Sequence, residues 1–314
     1  MESDQVQFTD KEQAEIDKFR KSAYVYVQHG NSVNVSAADK DGRTLLHEAA
    51  GQWWKSMAVV KYLVSEGASV HAKDKYGATP LHEAAIGGNV EVVKFLISVG
   101  TCGNTKDKDC ETLLYYAAQE GKVEIVKYLM SEGADIDTKD EYCDTLLHYA
   151  VGGYNLEVVK YLISQGVEID AVNDDGISPF HEATSRGFMN IMDFLIAQGV
   201  NINVSDNNGL TPLHYSALGD NVDVIKYLVS EGANVNEVEN EGATPLHLAA
   251  ENENAKIAKC LVAVGASIDA KDVYGRTPLK IAKKIGNTAV VECLECLEWG
   301  WGFGGYSIDD EDDF

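Results

Sequence analysis

The chain has 314 residues, with 50 Asp and Glu against 26 Lys and Arg and a formal charge of −24. That balance argues against a nucleic-acid partner, whose backbone is bound by clustered Lys and Arg. No apolar run approaches the roughly 20 residues of a membrane helix, and the start, Met1-Glu2-Ser3-Asp4-Gln5, lacks the basic and apolar stretches of a signal peptide. The expected compartment is therefore the cytosol; delivery as a secreted effector by a machine that reads another signal is the alternative.

Residues 1–39 read as a degenerate N-terminal capping unit. Thr9-Asp10-Lys11-Glu12 has the form of a capping box, which predicts a helix over about Lys11 to Ser22. Gln28-His29-Gly30-Asn31-Ser32-Val33-Asn34 then matches Ser65-Glu66-Gly67-Ala68-Ser69-Val70-His71 further on.

From residue 40 a phrase recurs: Thr44-Leu45-Leu46-His47, Thr79-Pro80-Leu81-His82, Thr112-Leu113-Leu114-Tyr115, Thr145-Leu146-Leu147-His148, Ser178-Pro179-Phe180-His181, Thr211-Pro212-Leu213-His214, Thr244-Pro245-Leu246-His247 and Thr277-Pro278-Leu279-Lys280. Successive phrases stand 33 residues apart, except the first interval, which is 35. A fixed period of this kind means a stacked array, because one such unit cannot bury its own apolar face. The unbroken phase from Thr79 to Thr277 predicts no separate globular core inside residues 40–297.

Each repeat has the same internal logic. A turn such as Asp74-Lys75-Tyr76-Gly77 precedes the phrase, since Asp bonds to the following backbone and Gly accepts positive φ. Thr or Ser then serves as N-cap, and all five prolines occupy the next position, the first of the helix, where a missing N–H costs nothing. A short Ala-rich helix, a loop and a second apolar helix follow, such as Val90 to Ile97. That helix ends near a Gly suited to a left-handed cap: Gly67, Gly100, Gly133, Gly166, Gly199, Gly232 or Gly265.

These residues resemble the ankyrin-repeat family over about residues 40 to 297. The resemblance implies an all-α solenoid of stacked helix-turn-helix units with hairpin-like turns. On that reading seven repeats occupy 40–272, a polar C-terminal capping repeat 273–297, and a non-repeat tail 298–314. Leu45, Leu113 and Leu146 depart from the family's Pro, Tyr115 and Lys280 from its His, and Cys110 and Cys143 from its turn Gly. The departures predict local adjustment of turns, not loss of the fold.

Reactive residue types point to no chemistry. Six histidines belong to the phrase, and the resemblance implies that they are structural hydrogen-bonding groups tying neighbouring turns together; His29 and His71 follow no ligand spacing. His47-Glu48 and His82-Glu83 lack the second His of H-E-x-x-H, and no G-x-S-x-G, P-loop or dinucleotide fingerprint occurs. Cys293 and Cys296 form a lone C-x-x-C without two further zinc ligands nearby. Cys110 and Cys143 fall in adjacent repeats, too far apart for a disulfide without backbone movement. The expectation is no enzyme, no cofactor, no metal and a monomer.

Recognition remains. In the family, partners meet the turn tips and the exposed face of the first helix, which line a concave groove. Tyr76 and Tyr142 fall at tips, and Tyr116, Tyr149 and Tyr215 follow the phrase on the first helix. Tyr154 lies in the loop after the fourth such helix. Aromatic residues dominate binding hot spots, so these six are the expected contact set. Packing of about half of them against neighbouring repeats is the competing expectation. Trp53 and Trp54 stand in the loop lengthened by the 35-residue interval and are a further candidate contact, or a cover for the N-terminal unit. The charge reads first as solvated helix and turn positions that keep the array soluble, and second as a match to a basic partner surface; the different-class reading is an acidic inhibitor that blocks a nucleic-acid-binding site by charge mimicry. In the tail, Trp299, Trp301, Phe303 and Tyr306 are spaced by glycines, followed by Asp309, Asp310, Glu311, Asp312 and Asp313. The aromatics are expected to fold back over the last repeat, leaving a free acidic end.

Overall fold

A computed structural model describes residues 7–22, 34–51, 57–100, 113–252 and 254–298. The chain divides between Glu168 and Ile169 into two compact units. In the first, helix α1 (Asp10–Ser22) precedes four helix pairs: α2 (Leu45–Ala50) with α3 (Met57–Ser65), α4 (Pro80–Gly87) with α5 (Val90–Ser98), α6 (Leu113–Gln119) with α7 (Val123–Ser131), and α8 (Leu146–Gly152) with α9 (Leu156–Ser164). The second holds four more: α10 (Pro179–Ser185) with α11 (Met189–Ala197), α12 (Pro212–Leu218) with α13 (Val222–Ser230), α14 (Pro245–Glu251) with α15 (Ala255–Ala263), and α16 (Pro278–Ile285) with α17 (Thr288–Glu298). No strand occurs among the described residues, only isolated bridges between Ala38 and Thr44 and between Lys139 and Thr145. The fold is an all-α solenoid.

Most of these helices have six to nine residues. Helices shorter than about 12–15 residues are marginal in water, so stacking must supply their stability. In the first unit α2, α4, α6 and α8 pack in succession, as do α3, α5, α7 and α9 behind them. In the second, α10, α12, α14 and α16 form one row, and α13, α15 and α17 lie in the other. Leu46, Leu81, Leu114 and Leu147 recur at one buried slot of the phrase, and Val93, Val126 and Val159 at one buried slot of the second helix. Each such side chain contributes roughly 1.5–3 kcal/mol on burial. Helix α1 joins the first unit through α3, with Ile16 and Phe19 buried. It opens with the reciprocal bonds of a capping box: Thr9 N donates to Glu12 Oε2 at 2.9 Å and Glu12 N to Thr9 Oγ1 at 3.3 Å.

The hairpins between pairs share one device. Asp74 Oδ1 accepts from Tyr76 N at 2.8 Å and Ala78 N at 2.9 Å, holding the turn closed. Asp39, Asp140, Asn173, Asp206, Glu239 and Asp272 do the same in their own turns. Adjacent tips are stitched by backbone bonds: Lys75 N to Asp41 O at 2.8 Å in the first unit, Asn207 N to Asp175 O at 3.0 Å in the second.

The turn glycine is required on two counts. Gly176 has φ +78°, and a Cβ there would stand 2.6 Å from Asn207 N, the group that makes the stitch. Cys143 occupies the same slot and keeps the left-handed backbone at φ 63°, so the departure from Gly changed the residue and not the conformation. A left-handed L-residue costs roughly 1–2 kcal/mol. Gly176→Ala should therefore lower the unfolding free energy by at least about that amount, whereas Cys143→Gly should raise it by up to about 1 kcal/mol, after the added freedom of the unfolded chain is deducted. Chemical denaturation of the two variants checks the opposite signs.

Candidate functional site

The face shared by hairpin tips and first helices is built outward from the phrase histidines. In His214, Nδ1 accepts from Thr211 N at 3.1 Å, so the proton sits on Nε2, which donates to Ala243 O of the next repeat at 3.2 Å. His47, His181 and His247 make the same reach, to Ala78 O, Leu210 O and Arg276 O. Each ring thus caps its own helix and holds the following hairpin. These four rings are fully buried, and no group of three His, Cys, Asp or Glu side chains that could hold a metal occurs among the described residues.

Burial holds the imidazoles of His47, His214 and His247 below their ordinary value of 6.5, against the opposing pull of the carbonyls they bond. The unfolded chain therefore binds more protons once the pH drops below about 6.5. Stability from these rings is complete above that pH and is lost as the pH falls through their lower folded values. Asp41, held down by the Lys75 bond, and Glu12, held down by Thr9, contribute the same sign in a lower window, below the carboxylate range. The thermal midpoint should fall as the pH drops from 7 toward 5, with the raised Glu83 carboxyl opposing at the lower end, and His214→Gln should flatten that slope. A midpoint that rises on mild acidification would contradict neutral buried rings.

On this framework the expected tyrosines divide into two kinds. Tyr76 and Tyr142 stand at hairpin tips with 58% and 63% of their surface exposed, and Tyr154 is 54% exposed in the loop beyond α8. Tyr154 holds φ 57°, a left-handed backbone. Tyr116, Tyr149 and Tyr215 are half-buried instead. The ring of Tyr116 meets His82 edge-on at 5.7 Å, Tyr149 stacks on Tyr115 at 4.6 Å, and Tyr215 meets His181 at 5.3 Å. Tyr149 Oη donates to Asp140 Oδ2 and Tyr215 Oη to Asp206 Oδ2, each at 2.9 Å. Those carboxylates also organise the turns, so both rings are latched to their own hairpins. Burial and the Asp206 bond push the Tyr215 hydroxyl well above the usual phenol range. Trp53 and Trp54 lie outside the described residues, as does the tail from Trp299 onward.

Charged side chains of the same face are also committed. Arg43 reaches Glu83 at 2.8 Å, and Lys75 reaches Asp41 at 2.8 Å while its ammonium stands 4.7 Å from the centre of the Tyr76 ring. Burial raises the Glu83 carboxyl, with Arg43 opposing. In the second unit Tyr274 is 65% exposed beside Arg276, whose guanidinium lies 4.8 Å from its ring centre. The sequence-based contact set omits this ring. Its signal was nevertheless present, because Tyr76, Tyr142 and Tyr274 all immediately precede the turn Gly slot, at Gly77, Cys143 and Gly275.

A family model described as ankyrin repeats (3 copies) matches residues 53–140, 147–239 and 231–298. Among solved structures, the chain is similar to the ankyrin repeat domain of Bcl-3, described as a unique member of the IkappaB protein family. That similarity has 25% identity and a TM-score of 0.58, and covers 70% of this chain and 99% of that one. No curated protein matches the chain.

Proposed function

The chain belongs to the ankyrin-repeat family, whose repeats are generally protein-interaction modules, and from that premise we propose that it is a non-catalytic binding protein that captures a protein partner on its hairpin tips and first helices. The observation that carries this reading is the placement of rings in the first unit. Tyr76, Tyr142 and Tyr154 are exposed by more than half, and the half-buried Tyr116 and Tyr149 stand on first helices beside them in sequence register. Tyr offers a large contact area with few torsions to freeze. The hydrogen-bonded turns and latched rings mean that little ordering cost attends binding.

The partner surface that fits is basic and apolar in patches. Glu141 stands beside Tyr142 at its tip, and the whole chain carries −24. Charge supplies encounter and orientation, and the rings supply retention. A charge-mimicking inhibitor would instead rest on the carboxylates alone, and its binding would weaken steeply with ionic strength. Affinity capture from the native source, with tyrosine variants and at two salt concentrations, tests the proposal.

A further inference from the structure

The last repeat of the second unit has an outer face that the preceding repeats do not expose. Lys280 occupies the slot of His214 and His247, which are fully buried because their rings reach into the next repeat. Lys283 occupies the slot of the fully buried Ala217 and Ala250, and Val291 the slot of the fully buried Ile225 and Ala258. Here Lys280 and Lys283 are exposed, and Val291 is half-buried. Lys283 Nζ pairs with Glu295 Oε1 at 2.7 Å across this face. Beside that pair lies a largely apolar hollow of about 300 Å³, lined by Lys283, Gly286, Thr288, Val291 and Glu292. The exposed Lys284 lies one residue further along α16.

Residues 299–314 follow α17 directly. We propose that this segment folds back over the end face, its Trp299, Trp301 and Phe303 rings covering Val291 and the hollow and its acidic run pairing with Lys280 and Lys284. Three observations favour this occupant. The first is reach. Helix α17 has 11 residues, or about 16 Å of rise, and five extended residues span about 17 Å. Residues 299–303 can therefore run back to the hollow at the start of the helix. The second is pattern: in an extended segment, residues 299, 301 and 303 share one side, and the intervening glycines admit close approach. The third is charge. Residues 278–285 carry three lysines and no acid, in a chain of formal charge −24, and residues 309–313 are all acidic. Tethering places these complementary groups at high effective concentration without a second molecule.

Trp53→Phe with Trp54→Phe leaves Trp299 and Trp301 as the only indoles of the full chain, which holds four Trp. Their acrylamide quenching should be severalfold weaker than in a free peptide of residues 299–314. Neutralising the acids (Asp309→Asn, Asp310→Asn, Glu311→Gln, Asp312→Asn and Asp313→Asn) should raise the quenching and speed amide exchange across α16 and α17. That variant leaves every repeat residue unchanged, so its fold is not in question. High salt should act in the same direction. Should the double Phe variant not fold, amide exchange in the natural chain and the acid-neutralised chain carries the test alone. Peptide-like quenching, or exchange unaffected by neutralisation, would overturn the proposal. Protection that vanishes on dilution would also overturn it, since the occupant would then be a second copy.

Discussion

His214→Ala lowers the unfolding free energy by about 2–4 kcal/mol, read from urea denaturation with an unchanged m-value. The substitution removes the ring's bonds to Thr211 N, Thr211 Oγ1 and Ala243 O at once. Thr211 N loses its acceptor, and Ala243 O loses its donor. Each bond is worth roughly 1 kcal/mol net, but a buried donor left unsatisfied costs about 1–3 kcal/mol. Thr211 is buried, so water does not easily replace the ring. The change also uncouples a helix cap from the hairpin of the next repeat, which makes it worse than loss of any one bond alone. His148→Ala acts in the same direction, because His148 Nδ1 accepts from Thr145 N at 3.1 Å. A loss below about 0.5 kcal/mol, at the low edge for one hydrogen bond, would refute the structural role. Stoichiometric zinc that is bound by the natural protein and lost on these substitutions would replace it with a metal site.

The combined variant Tyr116→Ala, Tyr149→Ala and Tyr154→Ala abolishes partner capture in an affinity experiment. Each ring at a hot spot contributes about 1–2 kcal/mol or more, so three together remove several powers of ten in affinity even with partial coupling. The three are not equivalent probes. Tyr154, at 54% exposure, is the most exposed of the three, so its truncation removes the least buried surface. Tyr149 stacks on Tyr115 and bonds Asp140, so Tyr149→Ala also weakens the hairpin. Tyr149→Phe separates the two effects, since it removes only the bond to Asp140. Capture by Tyr154→Ala should fall while its denaturation midpoint holds. Deletion of residues 307–314 should leave capture nearly intact. Normal capture by the triple variant, with loss on that deletion, would move the binding role to the tail. A steep salt dependence with no effect of the tyrosine changes would favour charge mimicry.

The sequence and the structure agree where a residue's role is local. The Thr-Pro step, the helix-ending glycines and the hairpin Asp act on backbone within a few residues of themselves, and their 33-residue recurrence reports the stack directly. The contact set was less legible. Tyr76 and Tyr116 are both tyrosines in periodic slots, yet one is exposed at a tip and the other leans on His82 of the preceding repeat. Whether a ring is exposed depends on the side chain that the neighbouring repeat offers it. That neighbour lies about one period away in the chain, and nothing within the ring's own segment records it.

Period, caps and turns therefore determined the stacked repeat array, while the all-α solenoid and the structural use of the histidines were implied by the family resemblance. The array follows from short-range backbone chemistry repeated in phase. Tertiary structure alone decided that Tyr149 and Tyr215 are latched to the turn carboxylates Asp140 and Asp206. It likewise decided that Cys143 keeps a glycine's conformation. It also showed that Lys280, Lys283 and Val291 surface where equivalent positions are buried. The latches and the Cys143 turn lie within single repeats and depend on how a side chain is placed once its hairpin is closed. The end face differs because burial there is a property of the interface between repeats, and the array's last repeat exposes what the others hide.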